Sequence, residues 1–279
     1  MTGNLTICLP MLNGELYLQE QLDSLLRQTR PPDRVFLSDD GSTDSTVSIA
    51  KKFQAKAPFE VRIIDGPQAG YGNNVMRLLA EAPEGHLAFC DQDDIWDEFR
   101  LEHATAALFR LHLPTLLVCG RTFRPSRTNT TVRPTTANFV QSLYRNQAPA
   151  NATVVNPAAT RLIKENAHLL ATNPSFPDWW IYSLILGHGG SLLFDPKPGL
   201  CYRQHAGNLI GARTVRGLLK RGKAILSGQH KTWKETHLLA LWSCRKALTP
   251  TNRAALYKAL KASRRKKIAR FPIDLSRIS

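Results

Sequence analysis

The apolar positions of the first ninety residues change period several times. Leu5-Thr6-Ile7-Cys8-Leu9 is a short continuous apolar run, read as a buried strand that Pro10 ends. After Asn13-Gly14, residues Leu16, Leu18, Leu22, Leu25 and Leu26 recur at helical spacing. Val35-Phe36-Leu37 predicts a second strand, Ser38 to Ser42 a polar turn, and Thr46 to Phe53 a second helix. Val61 to Ile64, Asn74 to Ala82 and His86 to Cys90 continue as strand, helix and strand. Strands separated by roughly ten to fifteen helical residues imply parallel βαβ units with right-handed crossovers. From Thr214 onward the period is helical only, through Val215, Leu218, Leu219, Ile225 and Leu226, then Leu238, Leu239, Leu241 and Trp242. Beyond Pro250 it continues with Leu256, Tyr257, Leu260 and Ile268.

Composition narrows the classes. The chain has 279 residues, 43% of them hydrophobic, enough for a buried core and against disorder. Cys8, Cys90, Cys119, Cys201 and Cys244 are far apart and form no CxxC pair, which disfavours a disulfide framework or a structural zinc and suits a reducing cytosol. The most apolar stretch, Trp179 to Phe194, is broken by Ser183, Gly187, His188, Gly189, Gly190 and Ser191, so no membrane span is expected. Met-Thr-Gly-Asn has no Lys or Arg ahead of a short apolar run and does not read as a signal peptide.

The net charge of +15 is uneven. Residues 1–200 carry 18 Lys+Arg and 20 Asp+Glu, whereas residues 201–279 carry 19 and 2. A slightly acidic larger part would not attract a polyanion, which weakens a nucleic-acid reading of the whole chain.

A parallel sheet binds ligands beyond the carboxyl ends of its strands, and here those ends are acidic. Asp39-Asp40-Gly41-Ser42 follows the second strand and Asp91-Gln92-Asp93-Asp94 the fourth. No GxGxxG follows the first strand and no GxxxxGK[ST] occurs, so nucleotide binding would use carboxylates and a metal. Carboxylates this close repel unless a cation or donors compensate them, and Asp-x-Asp offers hard oxygen ligands suited to Mg²⁺ or Mn²⁺. Asp40, Ser42 and Asp44 also suit a turn and N-cap, and Asp94 could cap a helix starting near Trp96.

Leu9-Pro10-Met11-Leu12-Asn13-Gly14 with Tyr17-Leu18, Ser38-Asp39-Asp40-Gly41-Ser42-Thr43-Asp44-Ser45-Thr46, and Phe89-Cys90-Asp91-Gln92-Asp93-Asp94-Ile95-Trp96 together resemble the family 2 glycosyltransferases of GT-A fold. The branch they are most similar to is that of the rhamnosyltransferase-like enzymes of bacterial surface polysaccharide and lipopolysaccharide synthesis. Pro177-Asp178-Trp179-Trp180 and Tyr202-Arg203-Gln204-His205-Ala206-Gly207-Asn208-Leu209-Ile210-Gly211-Ala212 extend the resemblance to residues about 4 to 212. It implies a Rossmann-like α/β domain, residues 1–212, with a mostly parallel sheet flanked by helices, and a basic helical extension, residues 213–279.

The implied reaction is transfer of a sugar, with inversion, from a dTDP- or UDP-sugar to a hydroxyl of a saccharide or lipid-linked acceptor. Asp39 and Asp40 match the pair that reads base and ribose, and a carboxylate can accept a pyrimidine N3–H or ribose hydroxyls. Asp91 and Asp93 match the DxD pair, Asp93 as the direct ligand of Mn²⁺ or Mg²⁺ and Asp91 nearer the ribose or a metal-bound water. His205 matches a position brought to the metal or diphosphate. Arg203 is expected at the diphosphate or paired with a surface Asp or Glu, Asn74 at the donor sugar or a backbone group, and Pro10 and Gln92 at the donor. Asp178 matches the catalytic base, although Pro177 stands where the family usually has His; inversion needs one such base. Trp179 and Trp180 are expected to offer an acceptor sugar an aromatic face, one lining the cleft and the other buried. The sequence departs from the family at Val75, usually Phe, and at Asn151-Ala152-Thr153, often Gly-Cys-Thr.

Two other classes compete. A sugar nucleotidyltransferase would carry a Gly-rich, Arg/Lys-containing loop after its first strand, which Pro10 to Gly14 lacks. A basic nucleic-acid binder would use residues 213–270; no nucleic-acid partner is expected, because the basic run Arg264-Arg265-Lys266-Lys267 before Ile268 and Phe271 resembles an amphipathic segment for an anionic bilayer. That places the protein in the cytoplasm, peripheral on the inner face of the membrane.

Overall fold

The computed structural model describes residues 4–124, 137–170, 173–205 and 229–265. Eight strands form one sheet in the order β3-β2-β1-β4-β7-β6-β8-β5. β1 (Leu5–Met11), β2 (Arg34–Asp39), β3 (Glu60–Asp65) and β4 (His86–Phe89) are parallel neighbours. β6 (Thr115–Arg124) and β8 (Ser191–Arg203) run the same way, while β5 (Ile95–Trp96) and β7 (Thr153–Val155) run against them. Helices α1 (Leu18–Leu26), α2 (Thr46–Lys56) and α3 (Tyr71–Glu81) follow the first three strands. α4 (Arg100–Leu108), α5 (Phe139–Ser142), α6 (Pro157–Ala167) and α7 (Pro177–Gly187) surround the second half. This is the mostly parallel α/β architecture that the alternating periods imply.

β1 is buried along its whole length, as a central strand covered on both faces must be, which is why its apolar run does not alternate. Pro10 does not end it, contrary to expectation. Cys90 N–H donates to Cys8 O, so even-numbered residues of β1 face β4, and β4 pairs with β1 only as far as Cys8. Pro10 lacks an N–H on a side where no ladder partner remains, and it stays in register with Ser38 of β2.

One further expectation changes. Asp94 caps no helix: Ile95–Trp96 is a short strand paired with Leu200 and Cys201, and the next helix begins at Arg100. β8 runs through Phe194-Asp195-Pro196 and on to Arg203 by way of register shifts opposite Cys119, Gly120 and Arg121. These bulges absorb Pro196 and Gly199 and aim the end of β8 toward the acidic loops.

Residues 229–265 form α8 (Gln229–Ser243) and α9 (Pro250–Arg265), with Pro250 separating them as its fixed φ favours at a helix start. Leu238, Leu241, Cys244, Leu256 and Leu260 are buried and join the same hydrophobic core as the sheet and α7. The helical period expected around Val215 to Leu226, the Ala206 to Ala212 part of the motif and the segment Lys266 to Phe271 lie outside the described residues.

Candidate active site

Three loops at the carboxyl edge of the sheet are laced together by polar side chains. Asn13, after β1, has φ 47°, a left-handed conformation that Asn tolerates. Its N–H donates to Ser42 Oγ at 2.9 Å and its Oδ1 accepts the Thr43 N–H at 2.9 Å. Gly14 N–H donates to Thr46 Oγ1 at 2.7 Å, and Glu15 N–H to Asp44 Oδ2 at 3.0 Å. The Gln92 amide pairs with both backbone groups of Leu12 at 2.9 Å, and a Cβ on Gly14 would collide with its Oε1. Gln92, expected at the donor, therefore fastens the fourth-strand loop to the first.

Asp39 and Asp40 sit at the end of β2. Asp40 is 8% exposed and accepts the Gln68 N–H at 2.7 Å and the Gly70 N–H at 2.8 Å, holding the loop before α3. Asp39 is half-buried, accepts from Ser42 N–H at 3.0 Å and Ser42 Oγ at 2.5 Å, and is the more accessible of the two. Asn74, expected at the donor sugar or a backbone group, is buried and donates to Ser38 O at 2.9 Å, so it makes a backbone contact that secures the end of β2.

Asp91, Asp93 and Asp94 offer carboxylate oxygens within 4.8 Å of one another. Tyr71 Oη donates to Asp91 Oδ1 at 3.3 Å. Burial, with Asp93 and Asp178 nearby, pushes Asp91 up to about 7. Asp94 is fully buried, and burial with the two neighbouring aspartates pushes it well above the carboxylate range although Asn151 Nδ2 donates to its Oδ2 at 2.6 Å. Its Oδ1 is buried with no hydrogen-bond partner. The Arg100 guanidinium, 3.7 Å from the centre of the Trp96 ring, lowers both carboxyls only partly. A cluster of hard oxygens carrying more negative charge than its surroundings neutralise suits a divalent cation of the Mg²⁺ or Mn²⁺ kind.

The end of β8 closes the cluster. His205 Nε2 lies 2.7 Å from Asp93 Oδ2, and its ring stacks on Tyr17 at 4.4 Å. Arg203 donates to Glu20 at 2.6 Å and lies 5.3 Å from the centre of the Tyr17 ring. His205 thus meets Asp93, while Arg203 is engaged by Glu20 beside the Tyr17 ring.

Asp178 is in the first turn of α7, with Pro177 at the helix start and Phe176, not Asp178, in the N-cap position. Its carboxylate accepts from Asn146 Nδ2 at 2.8 Å, Ala150 N–H at 3.2 Å and Trp179 N–H at 2.8 Å. Burial outweighs these donors and pushes it up to about 6. It is close enough to raise both Asp91 and Tyr71 electrostatically, which puts it beside the acidic cluster.

The expected aromatic platform is corrected. Trp180 is fully buried and Trp179 is 7% exposed, with Nε1 donating to Ser142 O at 2.6 Å and its ring stacked on His237 at 4.2 Å. α7 is buried on every side from Trp179 to Gly187, so both rings belong to the core and neither offers a face to a sugar. Tyr71, Asn146, Asn151 and Arg100 were not anticipated in these roles; Tyr71, Asn146 and Asn151 meet the site across 20, 32 and 57 positions, whereas Arg100 acts on Asp91 and Asp94 from nearby in the chain.

Comparison with known proteins agrees with this fold. Residues 6–168 match glycosyl transferase family 2. The chain is similar to a dTDP-rhamnosyl transferase of Shigella flexneri, 28% identical over 209 residues that cover 72% of each chain. Among solved structures it is similar to Staphylococcus aureus TarS in complex with UDP-GlcNAc, with a TM-score of 0.58 at 17% identity, over 95% of this chain and 92% of that one. It is also similar to a mannosyltransferase from Pyrobaculum calidifontis in complex with GDP-Man and Mn²⁺, with a TM-score of 0.58 at 15% identity, over 96% and 82%. At these identities the two structures speak for the fold.

Proposed function

Because this chain belongs to glycosyl transferase family 2, and is therefore a glycosyltransferase, we propose that it is an inverting, metal-dependent enzyme acting on a nucleoside-diphosphate sugar. The observation that carries the reading is the acidic cluster at the carboxyl edge of the sheet, closed by His205 on one side and flanked by Asp178.

Asp39 and Asp40 receive the nucleoside, Asp39 with the more accessible carboxylate. Asp91, Asp93 and His205 would hold Mn²⁺ or Mg²⁺, and Arg203 stands beside them for the diphosphate. Bound there, such a cation neutralises charge on the diphosphate leaving group. Asp178 takes the proton of the acceptor hydroxyl as its oxygen attacks the anomeric carbon, so one displacement inverts the centre and needs no second carboxyl. A base with a pKa near 6 is ionised at neutral pH yet basic enough to accept that proton.

The similarity to a protein named as a dTDP-rhamnosyl transferase favours dTDP-rhamnose as donor, with UDP-sugars as the alternative. The acceptor is a saccharide or lipid-linked saccharide of surface polysaccharide or lipopolysaccharide synthesis. Residues 213–279 make up the basic extension to the domain of residues 1–212, and Arg253, Lys258 and Lys261 are exposed on α9 while Leu256, Ala259 and Leu260 face inward. That face suits an anionic membrane surface on the cytoplasmic side. No helix among the described residues is long and apolar enough to cross a membrane.

A thermal-shift panel of UDP, dTDP, GDP and their sugars, each with and without Mn²⁺, tests the reading, because a ligand bound only by the folded state raises the melting temperature. The expected result is metal-dependent stabilisation strongest with dTDP-rhamnose. Absence of stabilisation by every nucleotide in the presence of Mn²⁺ would overturn it.

A further inference from the structure

Asn146 lies between α5 and β7, outside every motif of the sequence. Its Oδ1 accepts the Ala148 N–H at 2.9 Å, which fixes the amide so that Nδ2 faces α7. Nδ2 then donates to Asp178 Oδ2 at 2.8 Å, and the Ala150 N–H reaches the same oxygen at 3.2 Å. The segment is locked to α7 a second time, because Ser142 O accepts from Trp179 Nε1 at 2.6 Å and Ser183 Oγ at 3.2 Å.

We propose that Asn146 is the positioning residue of the catalytic base, holding the Asp178 carboxylate in the orientation from which it takes the acceptor proton. The inference rests on the reading of Asp178 as base. An amide N–H aimed at a carboxylate oxygen favours the ionised form, the one a base needs, and Asn does not itself titrate near neutrality. The other groups that act on Asp178 divide by sign. Asp91 and Tyr71 face it across the cleft, where Asp91 disfavours its charge. Asn146, Ala150 N–H and Trp179 N–H favour it. Asn146 is the one side chain among these three donors, so it is the one that substitution can remove.

The test compares Asn146→Leu, Asn146→Ser and Asp178→Asn with the unaltered full chain. Transfer is measured against pH at saturating donor and Mn²⁺, and donor affinity by calorimetry. Losing one hydrogen bond to a charged group moves the acid limb of the kcat profile upward by about one pH unit in Asn146→Leu. Donor affinity stays within about twofold, and the retained hydroxyl donor of Asn146→Ser gives a smaller upward shift. A uniform loss of kcat at every pH, with the limb unmoved, would show a merely structural role and overturn the inference. If Asn146→Leu does not fold, the Asn146→Ser profile decides: an upward shift supports the inference and an unmoved limb rejects it. Full activity of Asp178→Asn would instead reject the base reading, a failure distinct from that of Asn146.

Discussion

His205 places its Nε2 2.7 Å from Asp93 Oδ2, across a sequence separation of 112 residues. The Tyr17 ring stacked on the imidazole at 4.4 Å fixes its plane, so the contact is a built junction between the start of α1, the fourth-strand loop and the end of β8. Imidazole and carboxylate together suit Mn²⁺. His205→Ala is expected to weaken Mn²⁺-dependent nucleotide binding about tenfold or more, a loss of roughly 1.4 kcal/mol. Calorimetric titration of dTDP and UDP with and without Mn²⁺ checks this, and unchanged affinity in the presence of Mn²⁺ would remove His205 from the metal.

Asp178→Asn keeps the shape of the side chain and removes its basicity. Transfer is expected to fall by about 10²–10⁴-fold, the range for loss of a general base, with donor affinity nearly unchanged. Radiolabelled sugar transfer alongside donor titration reads the two quantities separately. An active variant would place the base elsewhere.

The acidic cluster links pH to metal binding. Asp91 and Asp178 sit at about 7 and about 6 in the folded protein, above the unfolded carboxylate value of about 3.9. Without metal, the folded chain holds protons that the unfolded chain has released. That stabilisation is complete below about pH 4 and is lost as pH rises through 6 to 7. His237, which burial pushes down to about 3, acts in the opposite sense over part of this range, so the informative quantity is the difference that Mn²⁺ makes. Mn²⁺ is expected to raise the melting temperature more at pH 7.5 than at pH 5.5, because a cation competes with protons for these carboxylates. A Mn²⁺ effect equal at both pH values would contradict the cluster as its site.

Leu241 is fully buried in α8 and belongs to the same core as α7. Leu241→Ala is expected to cost about 2–5 kcal/mol and to lower one cooperative unfolding transition of the whole chain. Calorimetry checks this. A separate low-temperature transition, with the main one unmoved, would mean that residues 229–265 fold as an independent unit.

The parallel α/β class was legible because a strand buried on both faces and an amphipathic helix leave different periods, as Leu5–Leu9 and Leu18–Leu25 do. The acidic ends of β2 and β4 were legible for the same reason: a strand end followed by Asp is a local event. What escaped was orientation. Pro10 looked like a stop, but whether a missing N–H matters depends on which neighbour strand remains beside it. Trp179 and Trp180 looked like a sugar platform beside an acid. Yet Trp179-Trp180-Ile181-Tyr182-Ser183-Leu184-Ile185-Leu186 carries no charge and only the small polar Ser183 among large side chains, a pattern that already marked a buried helix. Asn146 on Asp178 and Asn151 on Asp94 join residues 32 and 57 positions apart, and no pattern of period or composition encodes such a pairing.

The stack of His237 on Trp179 joins α8 directly to the start of α7. Trp179 follows Asp178 directly, so α8 touches the residue next to the proposed base. Residues 229–265 are therefore packed onto the helix that carries Asp178, not joined to the sheet by chain connectivity alone.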